Sequence, residues 1–173
     1  MAPASGFVER VLAPRLRQRH AEVALRRLGG HIAFVDVGDD QRGIARAGVA
    51  EPAAAVVAPG AEIGRGVRIG PFCAVGPHVV IADGAELVSH VVVDGHTSIG
   101  DHTVIHPFAS LGLSPQHLSY KGEPTRLVIG HHNVIREHVT MHVGTAQGAM
   151  ETRVGSHSFF MAGCHVAHDC VIE

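Results

Sequence analysis

The sequence predicts an all-β fold, a parallel β-helix, and three observations predict it. Aliphatic residues recur every six positions, at Val57, Ile63, Ile69, Val75, Ile81, Leu87, Val93, Ile99, Ile105 and Leu111. The residue two before each of these, from Ile63 on, is small or β-branched: Ala61, Val67, Cys73, Val79, Ala85, Val91, Thr97, Thr103 and Ala109. Glycine often follows the aliphatic residue, as at Gly64, Gly70, Gly76, Gly100 and Gly112. An amphipathic helix repeats its apolar stripe every 3.6 residues, so a period of six excludes one. The period suits a short strand followed by a turn. Residues two apart on a strand face the same way, so Val67 and Ile69 both point inward. Three such units make a triangular coil of about eighteen residues, and stacked coils form a solenoid. Each sixth aliphatic then fills the axis, and the narrow triangle requires a small residue beside it.

The elements follow in chain order. Residues 1–48 lie outside the repeat and form an extension of unassigned role. Within it Phe7 to Leu28 reads as a basic helix interrupted by Pro14, and Ile32 to Val37 reads as one strand. Over residues 1–30, six Arg stand against two Glu. From about residue 49 the hexads run unbroken to Leu111. The pattern lapses over about 112–126, where Pro115 and Pro124 mark an extruded loop. It resumes at Ile129, Ile135 and Met141, lapses again over 142–153, and returns at Val154, Phe160, Val166 and Ile172. Long loops in a tight solenoid are usually functional, so both are expected to wall a site. The chain stops at Glu173 in mid-hexad. An uncovered coil end exposes strand edges and core residues, so further chain is expected to cover it.

Composition narrows the class. The chain of 173 residues carries a formal net charge of −2, which gives no polybasic surface for nucleic acid. No apolar run approaches the ~20 residues that span a bilayer, and Arg15, Arg17 and Arg19 break any secretory signal at the start. Three cysteines are too few for a disulfide framework, so a cytoplasmic protein is expected.

The chain also carries 15 histidines. The run from Cys164 to Cys170 suggests zinc, because Cys and His are its usual ligands. The hexad phase argues otherwise. Cys73, Cys164 and Cys170 occupy the small inward position and are expected to be buried and inert, whereas His165 lies between two inward residues and points out. His168 also falls outside the inward pair. Inward sulfur and outward imidazole from one strand cannot share an ion, so no metal site is assigned, although an all-histidine site between subunits stays open. His78, His90, His96 and His102 each sit three residues after an aliphatic position and read as turn or solvent positions. His168 is a candidate general base, since imidazole titrates near neutral pH. Asp169 follows it, but adjacent strand residues point apart, so the spacing does not make it the orienting partner. No nucleophile motif is present, which favours direct transfer over a covalent intermediate.

Several stretches together resemble one family. They are the segment from Ile69 to His78, the segment from Ser89 to Thr97, the loop Gly122-Glu-Pro-Thr-Arg126, and His165-Val-Ala-His-Asp-Cys170. In this order they resemble the acyl-carrier-protein–UDP-N-acetylglucosamine O-acyltransferases of lipid A biosynthesis. The resemblance implies a left-handed parallel β-helix of hexapeptide repeats and a homotrimer with sites in the clefts between subunits. It implies that His168 is the base that deprotonates the sugar 3-hydroxyl, which attacks the thioester of a 3-hydroxyacyl chain on acyl carrier protein. His142 and His165 line the cleft, Gln116 and His117 meet the nucleotide sugar, Asp169 stands behind the base, and no cofactor takes part.

This chain departs from the family pattern in places. His117 and Ser119 stand where the family commonly has Asp and Lys, and Val143 where it commonly has Arg. The acceptor therefore stays open between a 3-hydroxyl and a 3-amino sugar. The family's remaining coils and C-terminal helical domain, with the oxyanion-hole backbone and the acyl-length ruler, are not encoded before Glu173. Losing an oxyanion donor costs ~10²–10³ in rate, so residues 1–173 alone are expected to give a trace of turnover. Two other readings remain: an inactive truncated scaffold, and a zinc carbonic anhydrase-like trimer on the same fold.

Overall fold

A computed structural model of the protein describes residues 54–173 and, ahead of them, the backbone of Glu9–Arg10 paired antiparallel with Ala24–Leu25. Four residues of the helix expected over Phe7–Leu28 are thus extended instead. The rest of that helix, and the strand expected over Ile32–Val37, lie outside the described residues.

Residues 54–173 form a left-handed parallel β-helix. Most of its strands are two residues long, the outer residue first and the core residue second. They stack into three parallel sheets. The first contains Val56–Val57, Ala74–Val75, Val92–Val93, Ser110–Leu113, Thr140–His142 and His165–Val166. The second contains Glu62–Ile63, Val80–Ile81, His96–Ile99, Arg126–Ile129, Glu151–Val154 and Val171–Ile172. The third contains Arg68–Ile69, Glu86–Leu87, Val104–Ile105, Val134–Ile135 and Phe159–Phe160. The chain visits the sheets in rotation, so strand amides bond to the neighbouring coils, as where Ala74 N donates to Val91 O at 2.8 Å.

Both positions expected to face inward do so. The aliphatic set from Val75 to Leu111 is buried, as are the small partners Val67, Cys73, Val79, Ala85, Val91, Thr97, Thr103 and Ala109. Cys164 and Cys170 pack against the core from the last coil but are only half-buried, unlike Cys73. The expectation of full burial fails for these two because no coil lies above them among the described residues.

One inward position departs from the small or β-branched pattern by carrying an amide. Asn133 is fully buried two residues before Ile135. Its amide nitrogen donates to Gly130 O at 2.9 Å and Gly155 O at 2.8 Å, and its side-chain oxygen accepts from Ser158 N at 2.8 Å. The side chain ties together the backbone of two coils at one corner, which offsets the cost of burying an amide.

The third residue after the core aliphatic is the corner residue. Its backbone is left-handed at Phe72, His90, His102, Phe108, His132, His138, His157 and Asp169. Histidine and aspartate tolerate this region better than most residues. Corner side chains of successive coils stack, as His102 on His132 on His157 with ring centroids 5.0 and 5.1 Å apart. Five histidines are accounted for by this corner geometry without any chemistry.

The two expected loops leave the helix at one corner, between the first and second sheets. The first spans residues 114–125 and the second 143–150, both narrower than the lapse of the pattern, because flanking strands run into them. The first sheet shifts register between Leu111 and Leu113, where the loops leave it, but the second sheet keeps its pairing. Ile99 pairs with Ile129 and Ile129 with Val154, just as Ile81 pairs with Ile99 eighteen residues on.

Candidate functional site

The corner from which both loops emerge carries His168 and Asp169 one coil further on. The chain leaves the first sheet at Val166 and enters the second at Val171, so His168 and Asp169 form a turn and not a strand. Asp169 has φ 60°. The rule that neighbours on a strand point apart does not apply in such a turn, and the sequence expectation is corrected: His168 Nδ1 lies 2.8 Å from Asp169 Oδ2.

The second loop is built around that carboxylate. Asp169 Oδ1 accepts the backbone N–H of Thr145 at 3.0 Å and of Ala149 at 2.8 Å, and Oδ2 accepts the Thr145 hydroxyl at 2.6 Å. The Asp169 N–H donates to Thr152 Oγ1 at 2.9 Å. A Cβ on Gly148 would lie 2.3 Å from the Asp169 carboxyl carbon, so only glycine lets the loop close on it. Burial on its own would raise the Asp169 pKa. The hydroxyl and N–H of Thr145, the His168 ring and the Ala149 N–H outweigh it and hold the carboxyl at about 2. An ionised carboxylate only accepts, so His168 Nδ1 donates to it and Nε2 is left as the basic nitrogen.

Three further imidazoles gather here. His117, from the first loop, meets the His168 ring edge-to-face with centroids 5.3 Å apart. His142, at the end of its strand, is 8% exposed, and its ring lies 4.8 Å from that of His165. The Nδ1 atoms of His117 and His142 are both buried without a partner. Burial lowers the His142 pKa, and the neighbouring His165 and His168 lower it further, so this ring is neutral at neutral pH. His165 points outward, its Nδ1 2.7 Å from Thr140 Oγ1. Gln116 is exposed beside His117 and makes no hydrogen bond to the cluster among the described residues. The sequence reading missed Thr145, Gly148 and Thr152, although all three lie in the second flagged loop.

Among the described residues no group of three or more His, Cys, Asp or Glu side chains is placed to hold a metal ion. Beneath the first loop lies a hollow of about 330 Å³ lined by His78, Asp94, His96, Tyr120 and Glu123 among others, and none of the cluster residues lines it.

Known proteins carry the same coils. A family model described as bacterial transferase hexapeptide (six repeats) matches residues 60–95. An acyl-[acyl-carrier-protein]–UDP-N-acetylglucosamine O-acyltransferase of Rickettsia typhi is 52% identical over 116 residues, covering 67% of this chain and 44% of the relative. One of Halorhodospira halophila is 53% identical over 116 residues, covering 67% and 45%. Among solved structures, the UDP-N-acetylglucosamine O-acyltransferase of Moraxella catarrhalis superposes with a TM-score of 0.68 at 44% identity, covering 70% of this chain and 47% of that one. The UDP-N-acetylglucosamine acyltransferase of Francisella novicida gives 0.66 at 41% identity, covering 68% and 43%. The chain thus spans less than half the length of these relatives. Half of the aligned residues are identical and the coils superpose. Over the residues it shares with them, the chain belongs to the acyl-[acyl-carrier-protein]–UDP-N-acetylglucosamine O-acyltransferase family.

Proposed function

We propose that this corner activates the acceptor for acyl transfer from acyl carrier protein to UDP-N-acetylglucosamine, the first step of lipid A biosynthesis. His168 Nε2 takes the proton of the sugar 3-hydroxyl while its oxygen attacks the thioester carbonyl of a 3-hydroxyacyl chain. The C–S bond breaks, and the departing thiolate of the carrier protein takes the proton from His168 and leaves as the thiol. The observation that carries the reading is the bond from His168 Nδ1 to an ionised, fourfold hydrogen-bonded Asp169. That bond fixes the ring and stabilises the imidazolium formed in the step. A neutral His142 adds no repulsion to that charge. His142, His165, Gln116 and His117 are assigned to the nucleotide sugar. The orphaned Nδ1 atoms of His117 and His142 support this, because a buried nitrogen without a partner costs about 1–3 kcal/mol that a bound ligand's polar group would recover. No cofactor enters the step. The relatives' names supply both substrates. The working assembly is proposed as a cytoplasmic homotrimer. No helix among the described residues is long and apolar enough to cross a membrane.

The test measures acylated UDP-sugar formed from 3-hydroxyacyl carrier protein. It uses both the chain itself and a chimera in which the remaining length of a relative follows Glu173. Transfer by the chimera is expected. His168→Ala should lower it ~10²–10⁴-fold, as removal of a positioned general base does, and a loss under tenfold overturns the assignment of the base. UDP-sugar binding without transfer in either protein would favour the scaffold reading.

A further inference from the structure

We propose that Thr145 is a positioning residue that sets the basicity of His168 through Asp169. The Thr145 hydroxyl, at 2.6 Å, and the His168 ring, at 2.8 Å, bond to the same carboxylate oxygen, Oδ2. Each donor draws charge from that oxygen, so the hydroxyl weakens the pull of Asp169 on the ring. The hydroxyl is itself held. Thr145 is 2% exposed, and its oxygen accepts the Gly148 N–H at 3.1 Å, which turns the hydroxyl proton toward Asp169. A chain of hydrogen bonds therefore runs from the second loop to the imidazole: Gly148 N–H to Thr145 O–H, Thr145 O–H to Asp169, and His168 N–H to the same oxygen. Among the described residues, the remaining titratable groups facing His168 are His117, across 5.3 Å, and His142 and His165, none of them anionic. Asp169 is thus the carboxylate through which the loop reaches the base. The conformation of the second loop and the proton affinity of His168 are one coupled quantity. An acceptor sugar that displaces the loop would change the base it is about to use.

The consequence for catalysis rests on reading His168 as the base, but the hydrogen-bond competition does not, and the two are tested separately. The measurement is the pH titration of the His168 ring by NMR in the 173-residue chain. Thr145→Val removes the hydroxyl but keeps the shape, so the His168 midpoint should rise by about half a pH unit, and Thr145→Ser should leave it unchanged. A purely structural role predicts the opposite sign, because a loosened loop frees Asp169 from the ring and the midpoint falls. A fall, no change in Thr145→Val, or a Ser variant that behaves like Val overturns the proposal. Thr145→Ala is the second hydroxyl deletion should Val fail to fold, and failure of both to fold also overturns it. A midpoint that rises while the chimera transfers no acyl group leaves this inference standing and removes the proposed function. Acyl transfer with an unmoved midpoint does the reverse.

Discussion

Asp169 is the most densely bonded side chain of the site, and its position has consequences for stability. Its pKa falls from an ordinary 3.8 unfolded to about 2 folded. A depressed carboxyl stabilises the fold above its unfolded pKa and loses that contribution as pH falls through the folded one. The contribution, ~2 kcal/mol by linkage, is therefore complete above pH 4 and lost between about pH 4 and 2. Asp169→Asn should flatten unfolding free energy against pH across that window, and an unchanged slope would count against the bonding described. Gly148→Ala should cost stability, since its Cβ meets the carboxylate at 2.3 Å, and should raise the Asp169 pKa toward the ordinary value. The carboxyl carbon shift in NMR reads the Gly148→Ala pKa, and denaturant unfolding reads the stability of both variants. The contact between His168 and Asp169 was legible in principle. Asp169 is the third residue after Val166, the same corner position as His90 and His102, which the spacing already marks as turn or solvent positions. Applying the alternation of a strand to a corner hid it. Thr145 was not legible, because a loop without period offers no phase from which to read direction; Thr152, two residues before Val154, takes the small inward position, but its bond to the Asp169 backbone carries no signal in the period.

At the scale of the strand and corner, the repeat determines almost everything. Two inward residues per hexad and a left-handed third residue account for the cores, the stacked corner rings and the burial of Cys73, which is 1% exposed. Asn133 is the exception, since a pattern that asks only for small or apolar residues carries no signal for an amide that bonds two coils. Asn133→Ala strips partners from Gly155 O and Ser158 N together, while Gly130 O keeps its bond from the Thr103 hydroxyl. Each orphaned buried group costs about 1–3 kcal/mol, so the loss should rival that of Leu87→Ala, about 2–5 kcal/mol. Denaturant unfolding of the two variants side by side checks the comparison. The cysteines also separate by coil. Burial raises the pKa of Cys73, so a thiol reagent on the native protein should leave it unlabelled while Cys164 and Cys170 react first. Equal rates for all three would contradict the coil assignment.

For the molecule as a whole, the fold was legible from one period and the hand only from resemblance. The clustering of His117, His142, His165 and His168 was not legible from spacing, because 51 positions separate the first from the last. Only stacked coils with both loops at one corner bring them together. If the proposed trimer forms, light scattering of the described chain gives three times the mass of 18.2 kDa, and a monomer would leave the cleft reading without its second wall. The undisturbed pairing of Ile81, Ile99, Ile129, Val154 and Ile172 has a mechanical consequence as well. Each coil is held only by its neighbours, so tension applied at the two ends should peel the solenoid one coil at a time. The released chain follows the sequence distance between partners. Ordinary coils yield steps of about 60 Å, the coil with the first loop about 100 Å and the coil with the second about 85 Å. A single-molecule force trace would thus reveal the two insertions as long steps in an otherwise even staircase.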